Sequence, residues 1–192
     1  MVSKLHDFLE KVVVGDKRFA GNLFDRFIRL DFLLEKCSHC TILDIGSNEG
    51  LVSYEFARHG SKIIHGFEKS MSMVLFSKRL FRDVPVESEF YQADLSIQGN
   101  EFIQKYQSVL LDEYDIVLFL GVYHHLKNQM EEKNLHNLVE VLLEKTKKWF
   151  AVRTNSLPEF ESLILNKNFQ LVHSLPKKNN TGVGLLHIYE KY

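Results

Sequence analysis

The sequence predicts an α/β fold: a seven-stranded, mostly parallel sheet with helices on both faces and a C-terminal antiparallel strand, preceded by two N-terminal helices. Three observations predict it. From Thr41 onward, short β-branched or aromatic runs alternate with longer amphipathic stretches, the pattern of a parallel sheet covered by crossover helices. The first run passes into a glycine-bearing turn, Asp44-Ile45-Gly46-Ser47-Asn48-Glu49-Gly50, and then into a helical stretch. The last two runs follow one another with only the loop Leu175–Gly184 between them, which predicts an antiparallel hairpin.

In chain order, the first forty residues read as two helices expected to form a lid. Leu5, Phe8, Leu9 and Val12 share one apolar face; Phe19, Leu23, Phe27 and Leu30 repeat at helical spacing after Gly15-Asp16, with Asp16 as the cap. Residues 41–192 are expected to form the core of the same single domain. Its strands are predicted at Thr41–Ile45, Lys62–Phe67, Glu89–Ala93, Asp115–Leu120, Trp149–Thr154, Phe169–Ser174 and Leu185–Glu190. Its helices are predicted at Leu51–His59, Met71–Arg82, Glu101–Leu111, Glu132–Lys147 and Pro158–Asn166.

Composition supports one globular unit. The 192 residues are 45% hydrophobic and 26% charged, contain only Pro85, Pro158 and Pro176 as prolines, and show neither linker nor repeat. A net charge of -1 gives no global attraction to nucleic acid or to an anionic membrane. The N-terminus lacks the apolar core of a secretory signal and no stretch reaches the length of a membrane span, so a soluble, cytoplasmic protein is expected. Cys37-Ser38-His39-Cys40 has metal-ligand spacing, but a structural zinc site needs four ligands and no second cysteine pair exists. A helix end leading into the sheet is the expectation there, with no metal.

The glycine turn carries the chemistry. Gly46 permits a sharp turn and close approach of a ligand to the backbone, Gly50 permits close packing at the helix start, and the helix N-terminus offers free N–H groups to an anion. Glu68 ends the next apolar strand, where a carboxylate can accept hydrogen bonds from both hydroxyls of a ribose. Asp94 ends the third strand, placed to meet an adenine amino group. A lone glycine turn is weak evidence; with Asp44, Glu68 and Asp94 together it points to a bound adenosyl ligand.

Leu43-Asp44-Ile45-Gly46-Ser47-Asn48-Glu49-Gly50 with Gly66-Phe67-Glu68 resembles the nucleotide half of the class I S-adenosylmethionine-dependent methyltransferases. Asp115-Ile116-Val117-Leu118-Phe119-Leu120-Gly121-Val122-Tyr123-His124-His125-Leu126 is similar to the fourth strand and following loop of that superfamily, and more weakly to the branch of tRNA wobble-uridine enzymes. A last antiparallel strand inserted into the sheet is a known feature of the class. The resemblance implies S-adenosylmethionine as cofactor, with S-adenosylhomocysteine as product. It places Asp44, Gly46, Ser47 and Gly50 around the methionine part, Glu68 on ribose, Asp94 near adenine, and Leu120 to Tyr123 beside the sulfonium. Asn48 departs from it, since the commonest form of the motif has glycine there.

Methyl transfer is an in-line displacement, so the protein must hold a nucleophile in line and exclude water; a base is needed only for a hydroxyl or a protonated amine. Tyr123, His124 and His125 follow the fourth strand, at the carboxyl edge where ligands of open α/β sheets bind. His124 and His125 are the candidate bases, or else one fills the strand-to-helix junction and the other meets solvent. Tyr123 and Arg153 are the candidate acceptor contacts, with a surface ion pair as the alternative for Arg153. The chain lacks the Asp/Asn-Pro-Pro-Tyr/Phe segment of many base amino methyltransferases. Adenine-N6 or cytosine-N4 methylation is therefore disfavoured, and the compactness of the chain makes a small-molecule acceptor the leading expectation. The alternatives are tRNA or another RNA, held by Lys17-Arg18 and Lys177-Lys178, and a non-catalytic adenosyl-binding protein.

Overall fold

A computed structural model describes residues 30–154, 158–175 and 185–192. It contains seven strands: β1 Thr41–Ile45, β2 Ile63–Glu68, β3 Glu87–Gln92, β4 Tyr114–Leu120, β5 Thr146–Thr154, β6 Phe169–Leu175 and β7 Leu185–Lys191. They form one sheet in the order β3-β2-β1-β4-β5-β7-β6. The pairs among β1 to β5 are parallel, whereas β7 lies antiparallel between β5 and β6. The predicted fold class is thereby met, including the antiparallel strand.

Central position explains the apolar run of β4. Ile116 and Leu118 enter one hydrophobic cluster and Val117 and Phe119 the other, so both faces of the strand are covered and no alternation with polar residues survives. Edge strand β3 instead exposes Glu87 and Glu89 and buries Phe90, a charged edge that discourages pairing with another sheet. Helices α1 Asp31–Leu34, α2 Leu51–Arg58 and α3 Met71–Leu80 cover one face. Helices α4 Gly99–Tyr106, α5 Tyr123–Lys127, α6 Glu132–Glu144 and α7 Pro158–Leu165 belong to the other. Between the layers, the Leu111 amide donates to the Tyr114 hydroxyl at 3.0 Å, leaving its proton for His65 Nδ1 at 2.7 Å. This buried polar pair is satisfied.

Several boundaries differ from expectation. α4 ends at Tyr106 rather than Leu111, because the Tyr106 carbonyl takes the amides of both Val109 and Leu110 and turns the chain toward β4. β5 begins at Thr146, three residues before the first apolar residue of its expected span, Trp149; the exposed Lys147 and Lys148 disguise its start as the end of α6. Helix α5 stands where a loop was expected. The two N-terminal helices and the Asp16 cap fall outside the described residues, apart from Leu30, which is fully buried beside α1. Among the described residues no helix is long and apolar enough to cross a membrane.

Candidate functional site

The carboxyl ends of β1 to β4 converge on the glycine loop, and hydrogen bonds knit the predicted residues together. The Gly46 and Ser47 amides both donate to the Phe67 carbonyl, at 2.8 and 3.1 Å, tying the loop to β2. Gly46 has φ +77°, and a Cβ there would collide with Val122 Cγ2, so the residue must be glycine for both backbone and space. At Gly50, φ +73°, a Cβ would lie 2.8 Å from Ser77 Oγ, which is where α3 closes on the loop. Asn48, the departure from the family motif, has φ +49°, in the left-handed region that asparagine tolerates better than most residues. The position still demands what glycine supplies, and asparagine supplies it.

Glu68 is the hub. Its Oε2 accepts from the Asn48 amide at 3.0 Å and its Oε1 from the Ser70 amide at 2.8 Å, joining the glycine loop to the start of α3. Each oxygen keeps a further lone pair for a ligand hydroxyl. Behind the loop Asp44, 3% exposed, accepts from Ser53 Oγ of α2 at 2.6 Å. Burial pushes its carboxyl up to about 6, with the charge of Glu68 adding to the rise and the Ser53 bond opposing it. Ser47 is 6% exposed and its hydroxyl has no hydrogen-bond partner among the described residues. A buried orphan hydroxyl in a glycine-walled loop fits a bound polar ligand.

The raised Asp44 carboxyl carries a stability cost with a definite sign. Between 3.8 and about 6 the folded state keeps a proton that the unfolded state has released, so stability falls as pH rises through this window. Asp44→Asn is therefore expected to exceed wild-type stability at pH 8 by on the order of 2–3 kcal/mol and to match it below pH 4. Urea denaturation at the two pH values checks this; an equal gain at both would show that charge burial is not the cause.

Asp94 adjoins the hub through the Ala93 amide, which donates to the Glu68 carbonyl at 2.9 Å. Its Oδ1 accepts from Ser96 Oγ at 2.6 Å and the Ser96 amide at 3.0 Å, and its Oδ2 lies 3.3 Å from Lys69 Nζ. The Ser96 bonds, and then Lys69, hold this carboxyl below its usual range, so it is charged at neutral pH.

The half-buried Leu120 ends β4 in register with Arg153 of β5. Gly121 follows with φ +75° and, among the described residues, nothing within 4 Å of a would-be Cβ; its amide donates to the Arg153 carbonyl at 3.0 Å. Arg153 is 8% exposed. Tyr123, expected from the sequence to contact an acceptor, is 1% exposed and packs in the core cluster beneath α5. His124 and His125 are exposed, with ring centroids 3.9 Å apart. Partial burial, and then the charge of His125, lower the His124 imidazole below its ordinary value. Sequence reasoning missed Ser53, Lys69 and Gln129; only Lys69, adjacent to Glu68, carried a local signal.

Away from this edge, Cys37 is fully buried with Sγ 3.3 Å from the Leu34 carbonyl, and burial pushes its thiol up to about 11. Among the described residues no group of three or more His, Cys, Asp or Glu is placed to hold a metal ion.

No family model and no curated protein matches the chain. Solved structures do. The magnesium protoporphyrin IX methyltransferase of Synechocystis PCC 6803, with bound S-adenosylmethionine, superposes with a TM-score of 0.67 at 13% identity, over 99% of this chain and 92% of that one. A putative RNA methyltransferase from Pyrococcus horikoshii gives 0.63 at 17%, over 92% and 85%. A TehB-like S-adenosylmethionine-dependent methyltransferase from Corynebacterium glutamicum gives 0.61 at 13%, over 99% and 96%. The strand order, the inserted antiparallel β7 and these likenesses together show that the chain has the fold of the class I S-adenosylmethionine-dependent methyltransferases.

Proposed function

We propose that the chain is a single-domain S-adenosylmethionine-dependent methyltransferase acting on a small-molecule acceptor. The observation that carries this reading is the Glu68 hub: one carboxylate at the end of β2, bonded to the glycine loop and to the start of α3, with lone pairs left over. When bound, S-adenosylmethionine supplies a methyl group made electrophilic by its sulfonium. Glu68 would hold the ribose, Asp94 the adenine amino group, and Asp44, Gly46, Ser47 and Gly50 the methionine part. Leu120 borders the transfer point, with Gly121 leaving open space beside it. His124 or His125, exposed beyond that space, would take a proton from an acceptor that carries one. Arg153 would orient an anionic group.

The small-molecule reading rests on the near-zero net charge and on the magnesium protoporphyrin enzyme among the fold relatives. An RNA acceptor is the second reading, favoured by the RNA methyltransferase likeness. Calorimetry with S-adenosylmethionine and S-adenosylhomocysteine is expected to give low-micromolar dissociation constants, about -7 to -8 kcal/mol. No binding of either by the folded protein ends the methyltransferase reading. Salt-sensitive binding of RNA would transfer the acceptor assignment to the second reading, and cofactor binding without turnover on any acceptor would leave an adenosyl-binding protein.

A further inference from the structure

Lys69 has contacts that neither the fold nor the assigned site accounts for. Its carbonyl accepts from Gln92 Nε2 at 3.2 Å, which pins the residue against the end of β3. Its ammonium lies 3.3 Å from Asp94 Oδ2 and donates to Gln129 Oε1 at 3.5 Å, a partner sixty residues away that follows α5. All three side chains are exposed, so packing does not dictate their meeting.

The sheet order gives these contacts a place. β1 lies between β2 and β4, so a side chain leaving the end of β2 to meet the segment after β4 passes over the carboxyl end of β1, where the glycine loop sits. Asp94 follows β3 and Gln129 lies beyond β4, strands that β2 and β1 separate, so the one ammonium joins connections that are not neighbours in the sheet. Chemistry permits both contacts at once, since an ammonium has three N–H donors. It also permits the bridge to coexist with a ligand. Asp94 Oδ2 retains a lone pair beyond the one facing Lys69, and an adenine amino group can use it without displacing the lysine.

We propose that Lys69 is a clasp over the adenosyl site: its ammonium bridges Asp94 and Gln129 across the mouth of the site and sets how fast the ligand enters and leaves. The proposal rests on the adenosyl-binding reading above and adds a residue that this reading does not use. The clasp must open for each passage. An exposed pair of this kind is weak enough to open often, so the retardation it imposes is modest, about three- to fivefold, and is screened by salt.

Association and release of S-adenosylhomocysteine, followed by surface plasmon resonance, test it. Lys69→Met keeps the stem and loses the cation; release is expected to be about three- to fivefold faster than wild type. Lys69→Arg keeps the cation and the slow release. Gln129→Ala accelerates release less, and Lys69→Met with Gln129→Ala is no faster than Lys69→Met alone, because both remove the same bridge. Raising NaCl from 0.05 to 0.5 M accelerates wild-type release toward that of Lys69→Met and leaves the variant unchanged. Wild-type rates in Lys69→Met, or independent effects in the double variant, overturn the clasp while leaving the adenosyl reading in place. Failure of the wild-type protein to bind at all ends both.

Discussion

Replacing Glu68 by alanine is expected to weaken S-adenosylhomocysteine binding by about 2–3 kcal/mol, roughly 30- to 150-fold, and to lower fold stability by about 2 kcal/mol as well. The first loss is that of two ribose hydrogen bonds to a charged acceptor. The second was not foreseen from the sequence, which presents Glu68 as a strand-end ligand and nothing more. In the fold its carboxylate also satisfies the Asn48 and Ser70 amides, and removal leaves both without that acceptor. Glu68 is half-buried, so water can partly replace the lost bonds, which is why the stability loss stays well below the full cost of two buried orphans. Glu68→Gln retains one carbonyl acceptor and should fall between alanine and wild type in both measurements. Calorimetry and urea denaturation of the same preparations separate the two effects. An unchanged dissociation constant in a folded Glu68→Ala protein would remove the ribose assignment, whatever the stability shows.

That double duty illustrates what the sequence could and could not disclose. β-branched or aromatic runs located the strands; the longest, in β4, reflects burial on both faces, whereas edge strand β3 offered only Phe90-Tyr91 between polar residues, and its start at Glu87 was not legible. The glycine loop was legible because backbone demand and residue type coincide at Gly46 and Gly50, and Asn48 became intelligible only once its φ was known. Helix α5 was not legible: five residues, two of them adjacent histidines, carry too short a pattern for helical periodicity to register. Nor was the burial of Tyr123 legible, since a tyrosine beside two histidines after a strand end carries no signal of the face it packs on. Lys69, Asp94 and Gln129 lie on three different connections, and no local rule links them. Their meeting follows from the order of strands, which one sequence specifies only through the whole fold.

The His124 and His125 pair is where binding and chemistry should separate most clearly. In the proposed reading Glu68, Asp94 and the glycine loop take the cofactor's polar parts, which leaves the exposed imidazoles of α5 for the acceptor. His124 is set up to be neutral: partial burial, and then the charge of His125 with ring centroids 3.9 Å apart, lower its imidazole below the ordinary value. A neutral imidazole is the form that accepts a proton, so turnover is expected to rise with pH through the lowered histidine value and then level off. Replacing the histidine that acts as base by alanine should reduce methyl transfer by about 10²–10⁴-fold and flatten that rise, with the dissociation constant for S-adenosylhomocysteine little changed. If His124 is the base, His125→Ala should shift the pH profile upward, by removing a neighbouring charge and part of the burial, and cost far less. Steady-state rates between pH 5 and 9 on a confirmed acceptor, with calorimetry on each variant, distinguish the two. If both alanine variants match the wild-type rate at every pH, neither histidine moves a proton, and alignment of the acceptor over Gly121 carries the reaction alone.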